Sequence, residues 1–329
     1  MPLGDATSQF WKKRASNGAL EAATKIKTRD AYPLHEAADP GDVALTKLIL
    51  LKHLVDPDAK DDAGMTPSHV AVQAHVGEEA ALSMLVALVD GGARVNASNA
   101  DGVSPLMMAV DKSSTDLVEG LFSLGADLDV KDTKGYTAVH RCCKSGNSTM
   151  AQFLLGLGAD PNTHDTMMFT PLHVAVQRSD VDLAKILLQH GAEPNAQGGD
   201  GWTPLHLAKE EQMGRLLITH GASPNFLTKY GSTPLHLAAF NGNHDMTKLL
   251  LEFGAKPCSP NKWGDSPLRL AKYKGQIGIS QLLSAKGAHD VADQAMHERS
   301  PMFEAPPILS ESTVIEEHLS ADMPDDVVL

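Results

Sequence analysis

Residues 232–255, STPLHLAAFNGNHDMTKLLLEFGA, decide the fold. Thr233 is a good helix N-cap, and Pro234 fits the first helical position, where its missing N–H goes unused. Leu235, His236, Ala238 and Ala239 then form one wall of a short helix. The NGN at 241–243 breaks it. The segment at 245–254, DMTKLLLEFG, predicts a second amphipathic helix that its glycine stops. Turn chemistry of the type GAxPN follows and carries the chain to the next cap.

The phrase recurs. It reads YPLHEAA at 32, TPSHVAV at 66, SPLMMAV at 104, TAVHRCC at 137, TPLHVAV at 170, TPLHLAK at 203, TPLHLAA at 233 and SPLRLAK at 266. The steps between copies are 34, 38, 33, 33, 33, 30 and 33 residues. One unit of two short helices cannot bury its apolar face alone, so the units must stack into a continuous core. The copy at 202–222, WTPLHLAKEEQMGRLLITHGA, is three residues shorter than its neighbour, and the gap is expected at the turn between its helices, after Ala208. The copy at 66 has five extra residues. Both changes predict a local break in the regular curvature.

The period and the phrase resemble the ankyrin repeat family. The resemblance covers residues 32–289 and implies an all-α solenoid of about eight helix-turn-helix repeats with short hairpin fingers. Residues 1–31 read as an N-terminal segment with a degenerate capping repeat in FWKKRASNGALEAATKIK at 10–27. The repeat at 266 is expected to cap the other end. There Ile277, Ile279, Leu282 and Leu283 pack, while Ser280, Gln281 and Lys286 face water. Residues 290–329 are acidic and proline-containing and read as a disordered tail.

Composition narrows the function. The net charge of −13, without a long basic run, makes the chain a poor general binder of nucleic acid. No stretch of 18 apolar residues predicts a membrane span. No apolar leader predicts secretion, and three cysteines, two of them adjacent, suit a reducing compartment. The expected location is cytoplasmic, extending to the nucleus.

Fifteen histidines raise the question of a metal. Six of them (His35, His69, His140, His173, His206, His236) hold the fourth place of the phrase, where the family resemblance implies hydrogen bonds within the cap and to neighbouring loops. Equivalent places in successive units lie too far apart to share one ion. Cys142 and Cys143 point about 100° apart on a helix and read as buried small residues. No nucleophile, metal or phosphate motif appears. The reading is therefore no enzyme, no metal and no cofactor.

The resemblance implies docking on the finger row and on the ends of the first helices. Candidate partner-binding residues are Tyr136, Met167, Phe169, Trp202, Tyr230 and Trp263 on the fingers. Lys144, Arg178, Phe240 and Tyr273 join them just after the Ala pair. Tyr136, Phe169 and Trp202 recur every 33 residues and should stand in register, with the shortened repeat re-aiming Tyr230 and Trp263. Met168 replaces a finger glycine, which predicts a distorted finger. The expected function is a scaffold or adaptor that binds a protein partner of unstated identity, with the acidic tail as a second contact. The alternative is a regulatory or inhibitory subunit of an enzyme. Asn96 is a candidate for asparaginyl hydroxylation by the same resemblance. In the tail, Ser300 and Thr313 are candidate phosphorylation sites, and STVIEEHL at 312–319 is a candidate helix that folds on binding.

Overall fold

The computed structural model of the chain describes residues 32–52 and 55–289. The candidate N-terminal capping repeat, the candidate tail helix, and the candidate sites Ser300 and Thr313 lie outside the described residues. Those described form sixteen α-helices and no strand. Eight are inner helices: α1 Pro33–Ala38, α3 Pro67–Gln73, α5 Pro105–Asp111, α7 Ala138–Ser145, α9 Pro171–Gln177, α11 Pro204–Leu207, α13 Pro234–Phe240 and α15 Pro267–Tyr273. Each is followed by an outer helix: α2 Val43–Leu51, α4 Glu78–Asp90, α6 Thr115–Ser123, α8 Ser148–Gly156, α10 Val181–Gln189, α12 Glu211–Thr219, α14 His244–Glu252 and α16 Ile277–Ala285. Inner packs on inner and outer on outer along the stack.

The core follows the phrase. Leu106, Leu172, Leu205, Leu235 and Leu268 are all buried, as are Ala109, Ala175 and Ala239. Cys142 and Cys143 fill the Ala-Ala places of α7 with no exposed surface. Burial pushes the Cys142 thiol up to about 12 and raises Cys143 too, so neither is a ready nucleophile.

The short repeat differs from expectation in where its length change falls. In the short repeat the link between helices keeps three residues, 208–210, as at 241–243. The missing residues come out of the helix itself: α11 has four residues where α13 has seven. The N-capping end is fixed by the Thr203–His206 pair, so the free C-terminal turn is what is lost. In the long repeat, α4 grows to thirteen residues against nine in its neighbours, and its link gains the last extra residue.

At the C-terminal end Ile279 and Leu283 are buried and Leu282 is half-buried, whereas Ile277 is 72 % exposed. Ile277 opens α16, at the place His244 holds on α14, which is also exposed. Ser280 and Ser284 stand where α14 has Thr247 and Leu251. This is the polar end face that a terminal repeat needs.

Candidate interaction surface

The capping histidines set the frame. At His69, His140, His173, His206 and His236, Nδ1 accepts the N–H of the capping threonine three residues earlier, at 3.0–3.3 Å. A backbone N–H only donates, so Nδ1 carries no proton and the tautomer is Nε2–H. That Nε2–H donates to a carbonyl of the next finger: Val103, Phe169, Trp202, Ser232 and Asp265, at 2.8–3.2 Å. One imidazole thus ties its own cap to the following repeat. Burial pushes His140, His173, His206 and His236 down to about 4 and lowers His69 as well.

The fingers rest on a side-chain lock. Asp61, Asn99, Asp132, Asp165 and Asn261 each accept two backbone N–H groups two and four residues ahead. Thr228 does so with its hydroxyl, at 3.3 and 3.2 Å. From the second described finger on, one backbone bond joins each finger to the next, as from Thr166 N–H to Lys134 O and from Lys262 N–H to Tyr230 O. The finger with Met168 is not distorted. Its closing bond from Asp165 N–H to Phe169 O, at 2.9 Å, matches that from Asp132 to Tyr136, at 3.0 Å. Met168 simply takes the left-handed conformation, φ 64°, that glycine takes elsewhere. The strain sits in one residue, so Met168→Gly is expected to stabilise the chain by about 0.5–1 kcal/mol, raising the melting temperature by roughly 1–3 °C. Thermal unfolding followed by circular dichroism checks this.

The aromatic row divides in two. Tyr136, Phe169 and Trp202 keep register, but each lies against the histidine of its own cap. The centroid separations are 5.6, 5.1 and 5.8 Å to His140, His173 and His206. Phe169 is 7 % exposed and offers no surface to a partner. Burial pushes the Tyr136 hydroxyl up to about 12. Tyr230 and Trp263 instead stack on each other at the finger tips, 5.6 Å apart and nearly parallel at 19°. The Tyr230 hydroxyl donates to Asp200 at 3.1 Å, and Lys229 Nζ reaches the same carboxylate at 2.8 Å. Lys229 first, then Tyr230, hold the Asp200 carboxyl below its usual range. The shortened repeat does not re-aim these two rings. Gly231 and Gly264 keep the same left-handed slot as the other finger glycines, and the finger-to-finger bonds continue unbroken. Tyr230 and Trp263 reach the tips because each stands before its glycine rather than after it.

Met167 and Met168 are exposed on the fourth finger, at 43 % and 53 %. Behind the fingers, Tyr273 is 54 % exposed at the end of α15. Half-buried Phe240 lies under the Lys274 ammonium, 4.3 Å from the ring centroid. Lys144 is half-buried, and Arg178 is exposed with its guanidinium beside Gly146. Sequence reasoning did not single out Asp200, Lys229 or Lys274. Their contacts cross from one repeat to the next, and only the 30-residue step from Asp200 to Tyr230, the short repeat's own period, hinted at the link. Asn96 accepts the Asp127 N–H at 3.0 Å, one of a series in which Asn162, Asn195 and Asn225 do the same for later turns. Among the described residues no three His, Cys, Asp or Glu side chains converge as a metal site, and no helix is long and apolar enough to cross a membrane.

A stack of helix pairs, tied by cap histidines and edged by hairpin fingers, defines a solenoid. A family model described as ankyrin repeats (three copies) matches at residues 34–132, 77–165, 121–198, 139–225 and 209–295. The chain belongs to the ankyrin repeat family. Such repeats are generally protein–protein interaction modules and typically have no catalytic activity.

Proposed function

We propose that the chain is a scaffold or adaptor that docks a partner protein on its later fingers and on the ends of α13 and α15. The observation that carries this is the Tyr230–Trp263 pair, stacked at the tips rather than seated on a cap histidine. Large aromatics that serve no cap are the residue type that anchors interfaces. Tyr273 and Phe240 extend the same surface, and Met167 adds an apolar tip on an earlier finger. The chemistry is non-covalent, and the workplace is cytoplasmic, extending to the nucleus. Asn96 is proposed as a hydroxylation acceptor on the same family ground.

The test is a pulldown from the protein's own cells, comparing wild type with a Tyr230→Ala, Trp263→Ala, Tyr273→Ala triple variant. The triple variant is expected to lose its partner by about thirtyfold or more, since one true anchor contributes at least ~2 kcal/mol. Its melting temperature should stay close to wild type. Trp202→Ala is the counterpart: it should melt early, because its ring lies on His206, and still bind. A triple variant that captures the same partner at full yield sinks the proposal.

A further inference from the structure

The charge of the repeat stack is polarised along its length. Residues 32–227 hold 25 Asp and Glu against 13 Lys and Arg, whereas residues 228–289 hold three against eight. The three acids of that last stretch leave the finger side bare. Asp245 and Glu252 lie on the outer helix α14, and Asp265 is buried beneath Arg269, with Nε 3.1 Å from its carboxylate. Lys229, Lys262, Lys272 and Lys274 are exposed on the last two fingers and the end of α15. Lys229 is neutralised by Asp200, and Lys274 covers Phe240, so the cations surround the aromatic surface formed by Tyr230, Trp263 and Tyr273. The basic, aromatic end of an acidic solenoid suits an acidic segment with interspersed aliphatic side chains.

The chain carries such a segment directly after this end. Residues 290–329 hold ten Asp and Glu against one Arg, with Ile308, Leu309, Val314, Ile315 and Leu319 among them. We propose that the segment at 304–326 occupies the basic aromatic face of the last two repeats of its own chain, and that a partner must displace it. Reach is sufficient: the residues from 290 to 303 extend up to about 45 Å. Tethering at 289 gives the segment an effective concentration on the order of millimolar, which a second copy reaches only when concentrated. Displacement by a partner rests on the docking reading; occupation of the face by the segment does not.

The test uses the full chain with no partner present, so its failure and the failure of partner docking are separate results. A carbodiimide joins a carboxylate to a lysine only when the two are in contact. Cross-linking at low salt, followed by peptide mass mapping, is expected to join acids of 304–326 to Lys262, Lys272 and Lys274. The yield should fall about fivefold or more in ~0.5 M salt, where exposed charges are screened. It should fall similarly in a Lys262→Glu, Lys274→Glu variant, read from links to Lys272. Both of those lysines are exposed, so the variant keeps its core. Links spread evenly over Lys248, Lys256 and Lys286, or no links at all, overturn the proposal. A mixture of isotopically heavy and light chains settles the occupant. Links that join heavy to light show a second copy on the face and overturn occupation in cis.

Discussion

Acidifying the protein from about pH 7 to about pH 4.5 is expected to unfold the repeat stack. The cause is the buried imidazole row. His140, His173, His206 and His236 are pushed from 6.5 down to about 4 by burial. In the unfolded chain each binds a proton near pH 6.5; in the fold each stays neutral until about pH 4. The unfolded state therefore holds more protons throughout that window, and stability falls as pH falls through it. Above the unfolded value the contribution is complete, and below about 4 it is fully lost. A shift of this size corresponds to roughly 3 kcal/mol for each histidine. Four such residues together approach the whole stability of a typical domain, about 5–15 kcal/mol.

The geometry gives the same sign independently. A proton added at Nδ1 would face the capping threonine's N–H, which is itself a donor, so the cap bond would be lost with the charge. Helical circular dichroism followed from about pH 7.5 to about pH 4 should show a cooperative loss with its midpoint between roughly 6 and 4.5. Imidazole nitrogen shifts should show bare Nδ1 and protonated Nε2 in the native state. A chain that stays helical through pH 4, or histidines that titrate near 6.5 while folded, would contradict the buried neutral row.

The histidines also show what was legible in the sequence. Thr, Pro and His at fixed offsets are local signals: cap, first turn and return bond all lie within four residues. The number of repeats, the all-helical stack and the small buried Cys142 and Cys143 followed from them. What was not legible depends on contacts across repeats. Sequence alone puts the three residues missing from 203–221 in a turn, because turns usually absorb such changes. The structure removes them from the end of α11, whose beginning is held by His206. Residue type makes Ile277 a packing residue, but its helix-opening place leaves it in water. Spacing groups Tyr136, Phe169 and Trp202 into one surface with Tyr230 and Trp263, because it gives register and not direction. A ring after the finger glycine meets the histidine four residues on, and a ring before it meets the next finger. That two-residue difference separates rings seated on a cap histidine from rings stacked finger to finger.

Gly198→Asn is expected to destabilise the chain by about 2–3 kcal/mol, and Phe169→Val is expected to cancel much of that loss. Gly198 holds the place at which five other fingers have Asp or Asn and one has Thr. Its backbone, at φ −76° and ψ −172°, suits any residue, so conformation does not require a glycine there. The reason is steric. A Cβ at 198 would stand 2.3 and 2.4 Å from two ring atoms of Phe169, well inside van der Waals contact. The ring has taken the space of the finger lock, and this finger alone among those described has no side chain to hold its backbone. Elsewhere the lock and its neighbour coexist: Asn99 Nδ2 lies 3.6 Å from the Met65 sulfur, and Asp165 accepts its two N–H groups with Tyr136 in the place of Phe169, that ring lying at 23° to its cap histidine where Phe169 lies at 45°. With Val at 169, an Asn at 198 has room to accept the N–H groups of Asp200 and Trp202, as Asn261 does for Trp263 and Asp265. Each single substitution should lower the melting temperature, Phe169→Val through lost packing and Gly198→Asn through overlap. The double variant should be more stable than their sum predicts by roughly 2 kcal/mol. Thermal unfolding of the four members of this cycle gives the coupling directly. Additive losses would mean that the ring and the glycine are not in contact, and a Gly198→Asn chain as stable as wild type would mean that Phe169 does not fill the lock.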